Sequence, residues 1–230
     1  VTPRPRLLLF ARAPVIGRVK TRLEPVLGRA GTLAFYRALL ADAARAYRDP
    51  SWEPVLMAEP DPEDPDLAAL FPDPWSRRAQ GPGDLGRRLT AAFTEAFEQG
   101  APAAVAVGSD HPLLSRGSLA AALEGAGRRG AAIVPAQDGG YCAIALSKAV
   151  APQEIFSGIP WSSGEVLGAT LARFARAGIS PATLAPSYDV DRPLDLERLR
   201  RDLGRLDPAS PEFPAETARV LSSLATMESA

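Results

Sequence analysis

Residues 10–23 read Phe10-Ala11-Arg12-Ala13-Pro14-Val15-Ile16-Gly17-Arg18-Val19-Lys20-Thr21-Arg22-Leu23. The stretch leaves the apolar run Leu7-Leu8-Leu9-Phe10, the kind of short continuous run that is buried on both faces of a parallel sheet. Pro14 and Gly17 mark a loop. Beyond it Leu33, Tyr36, Leu40, Ala43 and Tyr47 recur at helical spacing and predict an amphipathic helix over Thr32–Arg48. Arg12, Arg18, Lys20 and Arg22 crowd the loop, and no acid appears until Glu24. Four cations on one strand-to-loop edge repel one another unless an anion sits among them. A tight turn at Gly17 and the N–H groups of a helix start suit phosphate, with Lys20 and the arginines as countercharge. The competing reading is a solvated basic face. The loop lacks the Gly-Lys-Ser/Thr ending of a Walker loop and the Gly-x-Gly-x-x-Gly of a dinucleotide site.

The chain as a whole is balanced in charge. Its 230 residues carry a formal net charge of -1 and are 46% hydrophobic. That composition supports a sizeable core and argues against disorder and against bulk nucleic-acid binding. One α/β domain over residues 1–230 is the expectation, since no repeat or low-complexity linker interrupts it. Cys142 is the one cysteine, so no intrachain disulfide can form. No apolar run reaches membrane-span length, and the N-terminal apolar run is short for a signal peptide. The expectation is a cytoplasmic protein with no membrane span and no nucleic-acid partner.

Outward from the opening stretch, strands and helices alternate. Val55–Ala58 reads as a strand, and Glu59–Pro74 as a surface excursion with one helical turn at Leu67–Leu70. Gln80-Gly81-Pro82-Gly83-Asp84-Leu85-Gly86 is a second glycine-dense turn. Asp84 there caps a helix marked by Leu89, Ala92, Phe93 and Phe97 and closed by Gly100. Strand Ala103–Val107, helix Ser115–Arg129 and strand Ala131–Pro135 follow. Cys142–Leu146 is close enough to the last of these to predict a bent or antiparallel pairing. A helix capped by Ser162 or Ser163 and running to Ala177, a short strand at Ala182–Ala185, a helix through Leu196, Leu199 and Leu203, and a last helix over Ala215–Leu224 complete the chain, with fraying expected from Thr226. The alternation predicts a three-layer, Rossmann-like α/β fold with a mostly parallel sheet.

In such a sheet ligands bind outside the carboxyl ends of the strands. Four polar clusters fall there: the basic loop, Asp110, Asp138-Gly139-Gly140, and Asp189 with Asp191. Asp110 and Asp191 read either as helix caps or as carboxylates for a hard divalent cation. Magnesium or manganese would complete its shell with phosphate oxygens and water. Asp138-Gly139-Gly140-Tyr141 reads either as a tight hairpin or as a ligand-facing turn. Trp161 either stacks on a substrate or packs at the sheet rim. His111, the one histidine, has no accompanying nucleophile elbow or zinc ligands and reads as site-adjacent or structural.

Together, Ala-Arg-Ala-Pro-x-x-Gly-Arg-Val-Lys-Thr-Arg-Leu from Ala11, Gly-Asp-Leu-Gly from Gly83, Gly-Ser-Asp-x-Pro from Gly108, Asp-Gly-Gly-Tyr from Asp138, Ile-Pro-Trp-Ser from Ile159 and Asp-Val-Asp-x-Pro-x-Asp-Leu from Asp189 resemble the DUF2064 group of bacterial GT-A-fold glycosyltransferase-like proteins. The motifs keep the family's order over residues 6–200. His111 and Ala145 depart from it, standing where the family often has a small residue or cysteine and a glycine. The resemblance implies a nucleotide-diphospho-sugar transferase fold and a metal-dependent transferase. Ala11, Arg12, Ala13 and Pro14 would then lie against base and ribose. Gly17, Arg18, Lys20 and Arg22 would face phosphates, and Gln80, Gly83 and Asp84 would close over the base. Asp110 and Asp191 would hold Mg²⁺ or Mn²⁺ and, with Lys20, carry catalysis. Asp138, Gly139, Gly140, Tyr141 and Trp161 would line the acceptor side. The implied partners are a nucleotide sugar or a nucleoside triphosphate and a small-molecule acceptor, with a homodimer compatible. Glycosyl transfer is slightly favoured over nucleotidyl transfer, and a non-catalytic nucleotide-binding module is the third reading.

Overall fold

The computed structural model describes residues 3–228, with side chains described to residue 224. Seven strands form one sheet in the order β3-β2-β1-β4-β6-β5-β7. They are β1 (Arg6–Arg12), β2 (Glu53–Glu59), β3 (Ser76–Ala79), β4 (Ala103–Gly108), β5 (Ala131–Pro135), β6 (Tyr141–Ser147) and β7 (Ala182–Thr183). β1 pairs in parallel with β2 on one side and β4 on the other, and only β6 runs antiparallel to its neighbours. The predicted mostly parallel α/β sheet is therefore present, and the pairing expected for Cys142–Leu146 is the antiparallel one.

The helices are α1 (Glu24–Ala46), α2 (Pro65–Leu70), α3 (Leu85–Glu98), α4 (Arg116–Arg129), α5 (Pro152–Phe156), α6 (Val166–Arg176), α7 (Pro193–Leu203) and α8 (Ala215–Glu228). Alternate residues of each central strand feed opposite faces, as the two-residue period of a strand requires. Leu7, Leu9, Leu56, Val105 and Val107 join a core with Phe35, Leu39 and Leu40 of α1 and Leu119 of α4. Leu8, Val55, Met57, Ala104 and Ala106 join a second core with Phe93 and Phe97 of α3, Phe156 of α5 and Phe174 of α6. The result is three layers with the sheet in the middle.

Several elements differ from the sequence reading. α1 starts eight residues earlier than Thr32, with Pro25 in its first turn and a break in helical geometry at Gly28. β3 has the sequence Ser-Arg-Arg-Ala and carries no apolar run, because a charged edge strand shows none. α6 starts at Val166 rather than after a serine cap. Ser162 adopts φ +66°, and Ser163 Oγ accepts the Glu165 N–H in a turn ahead of the helix. α8 continues in helical backbone to Glu228, and of the tail expected to fray only residues 229–230 lie outside the described residues. Among the described residues no helix is long and apolar enough to cross a membrane.

α8 is anchored by α1. Asp42, buried on α1, accepts the N–H groups of Glu216 (3.2 Å) and Thr217 (2.8 Å), and so supplies from another helix the cap that the start of α8 needs. Arg45 lies 3.3 Å from Asp42 and also donates to the carbonyls of Pro211 and Phe213. Asp42→Ala strands these donors. It should lower the unfolding free energy by about 1–3 kcal/mol, read as a lower urea midpoint at unchanged slope, and Asp42→Asn should cost less.

Candidate functional site

The chain leaves β1 for β2 and β3, then crosses back to place β4 on β1's other side. The carboxyl ends of β1 and β4 thus flank the point where strand order reverses, the usual ligand crevice of an open α/β sheet. A cleft of about 570 Å³ opens there. From the end of β1 it is lined by Phe10, Ala11 and Arg12, from the loop by Arg18 and Lys20, and from the end of β4 by Ser109 and Asp110. Gln80, Gly83, Leu85 and Arg88 line the opposite end, and Asp191 closes the side.

The loop is built by its own backbone. Ala13 N–H bonds the Glu59 carbonyl (2.7 Å), Arg18 N–H bonds the Val15 carbonyl (3.0 Å), and Gly17 takes φ +73°, where a glycine costs least. Tyr36 Oη of α1 accepts the Arg12 N–H and donates to the Arg12 carbonyl, fixing the end of β1. Lys20 follows with φ 49° and ψ 32°, a left-handed conformation unusual outside glycine.

Lys20 Nζ lies 2.9 Å from Asp110 Oδ2 and 3.5 Å from Asp191 Oδ1. Its side chain is 3% exposed, against 39% and 33% for the two aspartates, so the ammonium is enclosed while both carboxylates face the cleft. Arg22 takes the other oxygen of Asp191 at 2.5 Å. The two carboxylate loops are themselves joined, Val190 N–H bonding the Asp110 carbonyl at 3.0 Å. Asp195 Oδ2 accepts the N–H groups of Asp191 and Arg192, which fixes Asp191 at the start of α7. Burial alone would raise the Asp110 carboxyl, but the Lys20 charge and hydrogen bond outweigh it and hold Asp110 below its ordinary value. His111 is buried beside it. Desolvation lowers its pKa, while the charge of Asp110 pulls the other way.

At the far end, Arg88 pairs with Glu59 (2.9 Å) and donates to Gln80 Oε1 (3.1 Å), and Arg12 pairs with Glu59 from the other side (2.9 Å). Glu59 is held below its ordinary value, first by the Arg88 hydrogen bond. Gln80 Nε2 donates to the carbonyls of Ala11 (3.0 Å) and Met57 (2.9 Å), joining the ends of β1, β2 and β3. Leu85 is a large apolar side chain left 43% exposed, and it lines the cleft. The Arg18 guanidinium has no hydrogen-bond or ion-pair partner among the described residues, which leaves it available to an anion.

The structure thus gathers Ala11, Arg12, Arg18, Lys20, Gln80, Gly83, Asp110 and Asp191 around one cleft. Arg22 reaches it through Asp191. Ala13 lines a neighbouring hollow of about 260 Å³ that shares Arg12 and Arg18 with the cleft. Pro14 and Gly17 shape the loop without lining the cleft, and Asp84 caps α3 by accepting the Arg87 N–H at 2.8 Å.

The acceptor-side set lies apart, on the β5–β6 turn and the loop before α6. Asp138 Oδ1 accepts the Gly140 N–H in a tight turn. Gly139 takes φ +91° with its Cα against the Gly164 carbonyl, where a side chain has no room. Tyr141 meets Trp161 edge-on at 6.4 Å, and its hydroxyl is buried. The Trp161 ring packs over Gly86 at the start of α3.

Sequence reasoning missed Tyr36, Glu59, Leu85, Arg88 and Ser109 as cleft residues. Glu59 ends β2 as Arg12 ends β1, and the strand-end rule reaches it once the registered pair is known. Tyr36 was concealed by its place on the core face of its helix.

Over residues 41–163 the chain matches the model of a family described as an uncharacterized protein conserved in bacteria, DUF2064. The chain belongs to the DUF2064 family. The phosphoenolpyruvate guanylyltransferase of Rubrobacter xylanophilus is 32% identical over 202 residues, covering 85% of this chain and 95% of that protein. A crystal structure from Desulfovibrio desulfuricans G20, provisionally named a nucleotide-diphospho-sugar transferase, is 28% identical with a TM-score of 0.88 over 98% of this chain and 96% of its own. The 4-diphosphocytidyl-2C-methyl-D-erythritol synthase of Anaerococcus prevotii shares the fold alone, at 12% identity and a TM-score of 0.57 over 89% of this chain and 97% of its own. With these relatives this member of the family stands among the nucleotide-using transferases.

Lys20→Ala tests the electrostatics of the cleft directly. Lys20 holds the Asp110 carboxyl below its ordinary value in the folded chain, so its ionised form stabilises the fold at neutral pH, and the contribution is lost as pH falls through the lowered folded value. The stability gap between the parent and Lys20→Ala should be full at neutral pH and shrink below about pH 4 in urea melts. A gap unchanged across that range would show that the pair contributes no charge stabilisation.

Proposed function

We propose that this chain transfers the nucleotidyl group of a nucleoside triphosphate to a small phosphorylated acceptor and releases pyrophosphate. One observation carries the choice. Every carboxylate lining the cleft is committed to a cation: Glu59 to Arg12 and Arg88, Asp110 to Lys20, and Asp191 to Lys20 and Arg22. None stands free as a general base to take a proton from a sugar or alcohol acceptor. An acceptor phosphate needs no base, because its oxygen is already anionic at neutral pH. It attacks the α-phosphorus, the bond from that phosphorus to the bridging oxygen of the β-phosphate breaks, and the electron pair leaves with pyrophosphate.

Lys20 and Arg18 stabilise the charge that develops on the phosphoryl oxygens, acting at a fixed position in an enclosed site. The exposed face of Leu85 offers the base an apolar surface. Asp110 and Asp191 fit a hard divalent cation, Mg²⁺ or Mn²⁺, because two carboxylates converge on the single point that the Lys20 ammonium now holds. Among the described residues no third His, Cys, Asp or Glu joins them, so phosphate oxygens and water would complete the shell. A metal bound there supplies charge neutralisation to the polyphosphate. The guanylyltransferase relative makes guanosine triphosphate and a phosphorylated carboxylic acid the first pair to try. Glycosyl transfer from a nucleotide-diphospho-sugar is the second reading, favoured by the provisional name of the Desulfovibrio relative.

Phosphorus NMR of the protein with Mg²⁺ or Mn²⁺, each nucleoside triphosphate and a set of phosphorylated acids should show pyrophosphate together with a new phosphoanhydride signal. Release of a nucleoside diphosphate from a nucleotide sugar would overturn the proposal. Lys20→Ala should lower kcat/KM by roughly 10²–10³-fold, the range for removing one preorganised charge stabiliser. Arg18→Ala should act mainly on the KM for the triphosphate.

A further inference from the structure

We infer that Lys20 serves as an internal counter-cation for the Asp110–Asp191 pair in the nucleotide-free chain, so that a divalent metal gains these carboxylates only together with a nucleotide. The inference rests on the reading above in which the two aspartates are metal ligands, and adds an order of assembly to it.

Each of the four carboxylate oxygens already has a partner. Asp110 Oδ2 holds Lys20 Nζ at 2.9 Å, and Asp110 Oδ1 lies 3.4 Å from Ser109 Oγ. Asp191 Oδ1 faces Lys20 at 3.5 Å, and Asp191 Oδ2 holds Arg22. Ser109 contributes a neutral hydroxyl and Arg22 is 66% exposed, so water replaces either readily. The Lys20 ammonium is enclosed and touches both carboxylates at once. A magnesium ion needs its oxygens at about 2.0–2.1 Å. An ion shared by Asp110 and Asp191 would occupy the volume that the ammonium fills. The two cations exclude each other by space and by charge.

A polyphosphate changes the balance. It brings several negative charges to the end of the cleft where Lys20 and the Arg18 guanidinium, unpaired among the described residues, stand. The lysine side chain has four rotatable bonds and can exchange a carboxylate for a phosphate oxygen while the metal enters behind it. The backbone agrees with a switching position. Lys20 is held at φ 49°, a conformation that a residue with a side chain keeps only where its surroundings fix it, and such residues concentrate at ligand clamps.

The test reads metal binding and needs no turnover. Free Mn²⁺ is titrated by electron paramagnetic resonance against the full chain without nucleotide, for the parent, Lys20→Gly and Lys20→Met. Lys20→Gly removes the charge and suits the positive φ, while Lys20→Met keeps the aliphatic stem, so that one of the two remains folded by its melting curve. The expected result is Mn²⁺ binding at least about tenfold tighter in the variants, which is ~1.4 kcal/mol. Mn²⁺ should raise their Tm more than that of the parent, and adding Asp110→Asn should abolish both effects. In the parent, a non-hydrolysable α,β-methylene triphosphate should raise Mn²⁺ affinity in the same direction. Unchanged or weaker Mn²⁺ binding in the variants, with Asp110→Asn still weakening Mn²⁺ binding to the nucleotide-loaded parent, overturns the counter-cation role and leaves the metal site standing. No Asp110-dependent Mn²⁺ binding in any state removes both.

Discussion

Taking an ammonium out of water costs several kcal/mol, and the attraction of well-placed carboxylates must offset it. Lys20 meets that condition with two of them, from loops about ninety and one hundred and seventy residues further along the chain. The rest of the cleft follows from satisfying it. The loop after β1 must turn at Gly17 and enter the left-handed region at Lys20 to aim the side chain inward. The loop after β4 must present Asp110, and the segment before α7 must bring Asp191 alongside. Removing Lys20 takes the cation from Asp110 and leaves Asp191 to Arg22, and removing either aspartate leaves the enclosed ammonium with one countercharge in place of two, so the three side chains depend on one another.

The sheet is what allows three distant segments to meet. β1 lies centrally, with registered parallel partners on both sides; its carboxyl end is level with that of β2 and runs two residues past that of β4. Two separate cores, one on each face, hold that register, because a slip by one residue would turn Leu8 and its equivalents to the wrong layer. The Asp110 carbonyl and the Val190 N–H then join two loops by main chain alone. The separation of the two carboxylates is therefore set by backbone geometry rather than by side-chain packing.

Much of this was legible in the residues. Continuous apolar runs gave β1, β2, β4, β5 and β6, because a strand buried on both faces has no polar alternation to hide it. The Asp84 cap and the helix after it follow from local chemistry that acts within three residues. β3 was not legible, since Arg77 and Arg78 on an edge strand look like a loop. The start of α6 was misplaced because Ser162 and Ser163 make a turn with serine chemistry that also suits a cap. At the site, the cations and the two aspartates could be found from strand-end placement. Their direct pairing could not, because a lysine opposite two carboxylates and a lysine opposite a phosphate have the same sequence. Arg88 and Glu59 form a pair only through the register of β2 with its neighbours, a long-range fact that no local pattern carries.

Gln80 stands where a side-chain amide could be expected to read a base, yet its two N–H bonds are given to the carbonyls of Ala11 and Met57 and its oxygen to Arg88. An amide so engaged works as a tie rod across three strand ends. The rim of the sheet and the wall of the cleft are thereby coupled in one residue: change at Gln80 loosens the ends of the strands and alters the shape of the cleft together. Of the helix residues beside it, Arg88 shares in that fastening through Gln80 and Glu59, whereas Leu85 faces the cleft with no strand to hold and is the position whose change would reshape the wall without unfastening the strands.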